Sequence, residues 1–318
     1  MYGGVAEGRV FFLKLFLWFG WGYWGKLMYS DKRTVSLVLG SGGARGLAHI
    51  GVIRWLEEHH YEIKSISGCS IGALVGGIYA IGQLDEFERW VRVVNRRDIL
   101  ALIDPALDRG GLIKGEKIIH TLKGLVGDAM IESLPISFTA VATNIKNGKE
   151  VWIRKGAMFD AIRASISLPL LFTAFNYRGQ TLIDGGVVNP VPTGPTFGDE
   201  TDLTIAVNLC ASSGNGLVAP VPLVVKDEHA SSLRDTINRF VARISPASVD
   251  EGDRGLDMYD IAYQSFDAMQ GTIARQKLAA YPPDVVIEIA RNCCRTLDFD
   301  RANELIALGY YKMEEKMG

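Results

Sequence analysis

Short β-branched runs alternate along the chain with longer segments in which apolar residues recur at helical spacing. The run T-V-S-L-V-L at 34–39 ends in a glycine-rich loop at 40–46, and a helical pattern follows this loop. A second run, I-K-S-I-S at 63–67, ends in another glycine turn at 68–72 and leads into a second helical pattern. Two successive units of strand, glycine turn and helix predict parallel strands joined by right-handed crossovers.

The rest of the chain predicts further elements of the same α/β domain, with every strand in one mainly parallel central sheet. Further strands are predicted at 136–143, 149–153, 181–183, 203–209 and 285–290, and helices at about 156–166, 231–243, 257–280 and 300–316. The segment 211–230 is rich in Ser, Gly, Asn and Pro and predicts a long loop. We therefore divide the chain into an N-terminal segment, 1–33, and one α/β domain, 34–318.

The N-terminal segment contains an apolar run at 10–24 that includes three tryptophans spaced three residues apart and a single charge, Lys14. This run is shorter than the roughly 20 residues that span a bilayer, and extending it to Tyr29 buries a lysine, so spanning is disfavoured. We expect no signal-peptide cleavage. The aromatic content favours an anchor at a membrane surface over residues 10–29, and burial in the core or in a homodimer interface is the alternative.

Composition and charge narrow the classes of protein and partner. Hydrophobic residues supply 48% of the chain and charged residues 22%, which is typical of folded globular proteins and excludes disordered and fibrous classes. The 34 basic and 36 acidic residues nearly balance, so we expect no nucleic-acid partner. The five histidines form no paired metal-ligand motif, and the four cysteines form no C-x-x-C motif. We therefore predict no metal, no cofactor and a cytoplasmic protein, peripheral on the inner face of the cell membrane.

The strongest chemical motif is G-C-S-I-G at 68–72, because it lies where a predicted strand meets a predicted helix. In a G-x-S-x-G elbow, the glycines permit a sharp turn that exposes the serine oxygen at the carboxyl edge of the sheet. The N-terminus of the following helix favours a negative charge that develops beside this serine. Ser70 is therefore a candidate nucleophile, and a tight turn in which Ser70 caps the helix is the alternative.

The loop at 40–46 offers successive glycine amides at the same edge of the sheet. A dinucleotide site would require strict G-x-G-x-x-G spacing and an acidic residue at the end of the second strand, and this chain has neither. Donation from the Gly42 and Gly43 amides to an oxyanion is the favoured interpretation. Arg45 either holds this loop or meets an anionic head group, and an ordinary surface or structural ion pair is its alternative.

A serine nucleophile needs a base, and Asp184 is the favoured candidate. It ends the predicted strand T-L-I-D and is followed by Gly185 and Gly186, so its carboxylate lies at a strand end beside a permissive backbone. A carboxylate within reach of a serine can act directly as its base when the pair is shielded from water. A triad completed by His229 is the alternative, but His229 lies in a polar run. We expect His49 to pack or cap rather than to catalyse.

Three motifs in this order resemble the patatin-like phospholipases, particularly the short bacterial members related to the catalytic domain of neuropathy target esterase. These motifs are L-G-S-G-G-A-R-G at 39–46, G-C-S-I-G at 68–72 and D-G-G-V-V-N-P at 184–190. Supporting matches are A-V-A-T-N at 140–144, I-R-A-S-I-S-L-P at 162–169 and T-L-D-F at 296–299. The likeness covers about residues 34–210. The usual loop of the family begins D-G-G-G, so Gly40-Ser41 departs from its pattern.

The resemblance implies a three-layer α/β/α fold and a Ser–Asp dyad without histidine, in which Ser70 is the nucleophile and Asp184 the base. It also implies an oxyanion hole from the loop that contains Gly42 and Gly43, with Arg45 at the basic position of the motif. The supporting motif positions are Gly40, Ala44, Gly46, Gly68, Gly72, Gly185 and Gly186. The expected substrate is an acyl lipid, cleaved by phospholipase or lysophospholipase activity. Acyl transfer to an alcohol and a catalytically silent lipid-binding role are the alternatives.

Overall fold

The β-branched runs of the sequence form one sheet in the computed structural model, which describes residues 32–106, 113–212 and 258–318. The strands are β1 (Thr34–Leu39), β2 (Glu62–Cys69), β3 (Ser137–Asn144), β4 (Lys149–Ile153), β5 (Phe175–Tyr177), β6 (Gln180–Asp184), β7 (Leu203–Ala211) and β8 (Val285–Ala290). They lie in the order β5-β6-β3-β2-β1-β7-β8, and β4 also pairs with β3. The central pairs from β3 to β8 are parallel, whereas β4, β5 and β6 pair antiparallel. The prediction of a single, mainly parallel sheet is confirmed.

Helices connect and cover these strands. They are α1 (Ala48–Glu58), α2 (Ile71–Ala80), α3 (Leu84–Val93), α4 (Arg96–Ala101), α5 (Glu116–Val126), α6 (Met158–Ser165), α7 (Met258–Ala280) and α8 (Ala302–Met317). The predicted helices within the described residues are all present, with ends shifted by a few residues. The three helices α3, α4 and α5, and the short strand β5, were not predicted.

Two layers of helices lie on opposite faces of the sheet, as the alternation of side chains along β1 shows. Leu37 and Leu39 are fully buried in the main core, together with residues of α1, α2 and α8. Val38 faces the other way and packs in a smaller cluster with Ala206 of β7 and Ala274 of α7. Since β1 is buried on both faces, its sequence is an almost continuous apolar run. The expected three-layer α/β/α arrangement follows.

The carboxyl ends of β1 and β2 meet at one edge of the sheet, because Leu39 pairs with Gly68 in parallel register. The glycine loop that follows β1 and the turn that follows β2 therefore lie side by side. A tight turn at Gly43–Leu47 separates the loop from α1. This edge of the sheet brings the candidate residues together.

Four sequence predictions fall wholly or mostly on residues that the structure does not describe. They are the membrane segment at 10–29, the long loop at 211–230, the position of His229 and the helix at 231–243. Among the helices of the described ranges, none combines the length and the apolar content needed to cross a bilayer.

Candidate active site

Ser70 lies on the turn between β2 and α2, with backbone angles of φ 56° and ψ −124° that residues other than glycine rarely adopt. Gly72 lets this turn pack closely on β1, since a Cβ atom at this position would lie 2.5 Å from the carbonyl carbon of Leu39. The Ser70 side chain makes no capping hydrogen bond to α2. Instead, the half-buried residue lines a cavity at the edge of the sheet. Strained backbone of this kind is concentrated at functional sites.

Two serines, one at the end of α6 and one in the turn after it, hydrogen-bond to the backbone of Ser70 and of Asp184. The Ser70 N–H donates to Ser165 Oγ at 2.8 Å, and the Ser165 hydroxyl donates to the Val141 carbonyl at 2.6 Å. The Asp184 N–H donates to the Ser167 carbonyl at 2.9 Å. Neither role was predicted, although both serines belong to the segment I-R-A-S-I-S-L-P at 162–169. These contacts fix the backbone of the strained turn and that of the strand end opposite it.

Asp184 ends β6 and is fully buried. Its Oδ1 atom accepts hydrogen bonds from the Gly186 N–H at 2.7 Å and from the Cys69 thiol at 3.7 Å. Its Oδ2 atom is buried and makes no hydrogen bond of standard geometry to any described residue. The Ser70 hydroxyl nevertheless lies near enough to this carboxyl group to lower its pKa. The structure therefore brings the two predicted catalytic residues together.

Burial dominates the electrostatics of this carboxyl group. Desolvation raises the pKa of Asp184 from 3.8 to about 6, against the opposing effect of the nearby Ser70 hydroxyl and of the Gly186 and Cys69 donors. No cation of the described residues is among the groups that shift it. A carboxylate with a pKa near neutrality is a better proton acceptor than an ordinary surface aspartate.

Two adjacent amides of the glycine loop have no partner among the described residues. Neither the Gly42 N–H nor the Gly43 N–H makes a hydrogen bond to a described residue, and both residues line the same cavity as Ser70. Gly43 has a φ of +59°, in the left-handed region that favours glycine. The flanking amides are paired, Gly40 with the Val207 carbonyl at 3.1 Å, Ser41 with the Pro190 carbonyl at 2.8 Å and Ala44 with the Thr296 carbonyl at 2.8 Å.

Arg45 is almost fully buried and holds the loop from within. Its Nε donates to the Gly42 carbonyl at 3.0 Å, and its Nη1 donates to the Arg291 carbonyl at 3.1 Å. Its Nη2 forms an ion pair with Asp267 of α7 at 2.8 Å. Arg45 is therefore not in a surface ion pair: it forms a structural ion pair, as one alternative had it, and it also contacts the loop directly, which agrees with the interpretation in which it holds the loop.

His49 also supports the loop. It is fully buried on α1, and its Nε2 lies 2.9 Å from the Gly40 carbonyl, so this nitrogen carries a proton and donates it. Burial lowers the pKa of His49 to about 4, which keeps the ring neutral at physiological pH. The expectation that His49 packs rather than catalyses agrees with this position.

One cavity of about 190 Å³ joins Ser70 to the amides of Gly42 and Gly43. Its remaining walls are nearly all apolar and come from several helices and the loops between them, with residues that include Leu74, Phe87, Trp90, Val91, Ile118 and Leu122. Gln270 of α7 is a polar exception: it is buried, and its Nε2 lies 3.4 Å from Ser41 Oγ. Neither these helical walls nor Gln270 was predicted. The pattern i, i+3, i+7 of Leu84, Phe87 and Val91 is the signal that could have identified α3.

Metal-ligating side chains do not cluster within the described residues. The four cysteines are all free thiols.

The family profile described as patatin-like phospholipase matches residues 37–197, a range that contains the glycine loop, Ser70 and Asp184. The chain belongs to this family. An uncharacterized NTE family protein of Mycobacterium bovis is 38% identical to this patatin-like phospholipase, over 88% of this chain and 90% of that protein. A counterpart in Mycobacterium tuberculosis has the same identity and coverage.

Two further comparisons give a sequence match over part of the chain and a limited structural likeness. Lysophospholipase NTE1 of Debaryomyces hansenii is 34% identical over 51% of this patatin-like phospholipase and 11% of its own chain. The crystal structure of VipD from Legionella pneumophila aligns with a TM-score of 0.44 at 13% identity, covering 90% of this chain and 67% of VipD.

Proposed function

We propose that this patatin-like phospholipase is a serine hydrolase of lipid acyl esters, with Ser70 as nucleophile and Asp184 as general base. The observation that carries the proposal is a strained serine that lies beside a buried carboxyl group and shares an apolar cavity with Gly42 and Gly43, whose amides bind no described residue. Family membership supports lipid hydrolysis in general. The Ser–Asp pairing is our inference from the site.

In the proposed reaction, Asp184 accepts the hydroxyl proton of Ser70 while the serine oxygen attacks the ester carbonyl carbon. The Gly42 and Gly43 amides donate to the oxygen that becomes negative, and this oxyanion then expels the alcohol, which takes the proton from Asp184. Water, deprotonated by Asp184, attacks the acyl-enzyme in the same way. The fatty acid leaves, and Ser70 recovers its proton.

The apolar cavity supports a long acyl chain as the group that Ser70 receives. Burying a methylene group stabilises a complex by about 0.8 kcal/mol, so an apolar wall favours fatty acyl esters over short ones. The name of the Debaryomyces relative specifies lysophospholipids for that protein, and a lysophospholipid, with its single acyl chain, is the first substrate to assay here.

The test is fatty-acid release from lysophospholipid, from phospholipid vesicles and from a soluble short-chain ester by wild type, Ser70→Ala and Asp184→Asn. We expect both variants to lose at least about a thousandfold in kcat, because groups that act together in nucleophilic catalysis fail together. Thermal unfolding checks that both are folded. A matched His229→Ala variant should keep its activity.

Two results would contradict the proposal. Activity that persists in purified, folded Ser70→Ala would exclude this serine as the nucleophile. Loss of activity in folded His229→Ala equal to that in Asp184→Asn would replace the dyad with a triad.

A further inference from the structure

The two oxygens of the Asp184 carboxyl group lie in different surroundings. Oδ1 receives the Gly186 N–H and the Cys69 thiol, whereas Oδ2 receives no hydrogen bond of standard geometry from the described residues. An ionised carboxylate has two oxygens that share about four lone-pair sites, so donors bound to one oxygen make the other the more available base. Here the two donors on Oδ1 leave Oδ2 as the oxygen with free lone pairs.

The strands place Cys69 beside this carboxyl group. Cys69 is the last residue of β2 and pairs with Val141 of β3, and the next residue of β3, Ala142, pairs with Asp184 of β6. The three strand positions therefore lie at one level of the sheet, directly before the strained turn at Ser70. The Cys69 side chain is fully buried.

The thiol keeps its proton, so it acts as a donor at every working pH. Burial, followed by the neighbouring Asp184 charge, raises the pKa of Cys69 well above its ordinary value. The other titratable groups that act on it are Cys210 of β7 and Glu150 of β4. None of these groups is a cation, so an S–H donor is the form that this site favours.

We propose that Cys69 is a positioning residue: its thiol donates to Asp184 Oδ1, fixes the plane of the carboxyl group and directs the Ser70 proton to Oδ2. This inference rests on the proposed function, because it assigns a role within the same Ser–Asp pair. It concerns the residue between Gly68 and Ser70, a position for which the motif itself requires no side chain.

The experiment compares Cys69→Ala, Cys69→Ser and wild type, with Cys294→Ala, at a half-buried cysteine, as the control. The first readout is the pH dependence of kcat and KM for a soluble ester. The second is the titration of ¹³C-labelled aspartate followed by NMR, with the Asp184 resonance identified by its loss in Asp184→Asn.

We expect Cys69→Ala to raise the midpoint of the acid limb of the kcat–pH profile by about 0.5 to 1 pH unit, since a thiol is a weak donor. The midpoint of the Asp184 NMR titration should rise by the same amount. At pH values well above these midpoints, kcat should fall several-fold with little change in KM, because the carboxyl group is no longer held in one plane. Cys69→Ser, which retains a donor, should return both midpoints toward wild type. Cys294→Ala should match wild type throughout.

Unchanged midpoints in folded Cys69→Ala would overturn the proposal, even if kcat fell, because lost packing alone would explain that fall. The NMR titration does not need turnover. Absence of Ser70-dependent hydrolysis in wild type would therefore refute the proposed function, whereas an unshifted Asp184 resonance would refute the role of the thiol.

Discussion

At the scale of single residues, Asp184 combines two properties that oppose each other. Burial raises the pKa of this carboxyl group to about 6, which suits the role of base that we propose for it. The same burial disfavours its ionised form, and no cation compensates it within the described residues. A base of this kind therefore lowers the stability of the folded protein at the pH at which it works.

This conflict predicts that Asp184→Asn is more stable than wild type at pH 8. Since the folded pKa lies above the ordinary 3.8, the folded state binds this proton more tightly, and stability falls as pH rises from about 4 to about 6. The rise in pKa corresponds to about 3 kcal/mol, which is the upper bound of the expected gain of Asp184→Asn over wild type in the free energy of unfolding. Urea unfolding of both proteins at pH 8 and near pH 4 measures it.

The gain should shrink toward zero near pH 4, where the aspartate is protonated in the folded protein. A difference in unfolding free energy that is the same at both pH values would show that the ionised form of Asp184 carries no penalty. The neutral amide fits because its oxygen can still accept the Gly186 N–H that now binds Oδ1.

At the scale of elements, the glycine loop depends on close contact with the segment before α8. A Cβ atom at Gly43 would lie 2.6 Å from the Thr296 carbonyl oxygen and 3.1 Å from the Thr296 Cα atom. The same carbonyl accepts the Ala44 N–H, so backbone on both sides is fixed. The loop can admit a side chain at this position only by moving its two unpaired amides.

We therefore expect Gly43→Ala to lower kcat by about a hundredfold or more, in the range for loss of an oxyanion donor. Gly82→Ala is the matched control: Gly82 has a φ of +72°, but a Cβ atom there would meet no atom within 4 Å. Both variants should lose about 1 kcal/mol of stability from backbone strain, and Gly43→Ala should lose more because of the contact with Thr296, as measured by urea unfolding. Equal activity of the two variants would contradict the role of the loop.

The strands and their turns were predictable because the relevant signals are local. β1 and β2 are short β-branched runs with the glycine loop and the Ser70 turn at their ends, and Asp184 ends β6 directly before two glycines. The contact between Ser70 and Ser165 was not predictable in this way, since it joins residues 95 positions apart and leaves no periodic trace in the sequence. The helix α3 has a readable amphipathic pattern, but its many charges resemble a solvated segment.

At the scale of the whole molecule, the cavity is a product of the topology rather than of any motif. Ser70 comes from the sheet edge, whereas much of the apolar wall comes from helices between 84 and 126, which follow the motif in the chain. Ile118 of α5 illustrates this separation, because it lines the cavity that Ser70 also lines. Chain-length preference is therefore expected to depend on residues that have no part in the chemistry.

This separation predicts that Ile118→Trp discriminates against long acyl chains. The larger side chain would occupy part of a cavity of about 190 Å³, so kcat/KM for a hexadecanoyl ester should fall by about tenfold or more, while that for a butanoyl ester stays near wild type. Leu125→Trp is the matched control, since this half-buried residue lies two turns further along α5 and does not line the cavity. Equal loss with both esters would indicate damage to the fold, and an unchanged preference would mean that the acyl chain lies elsewhere.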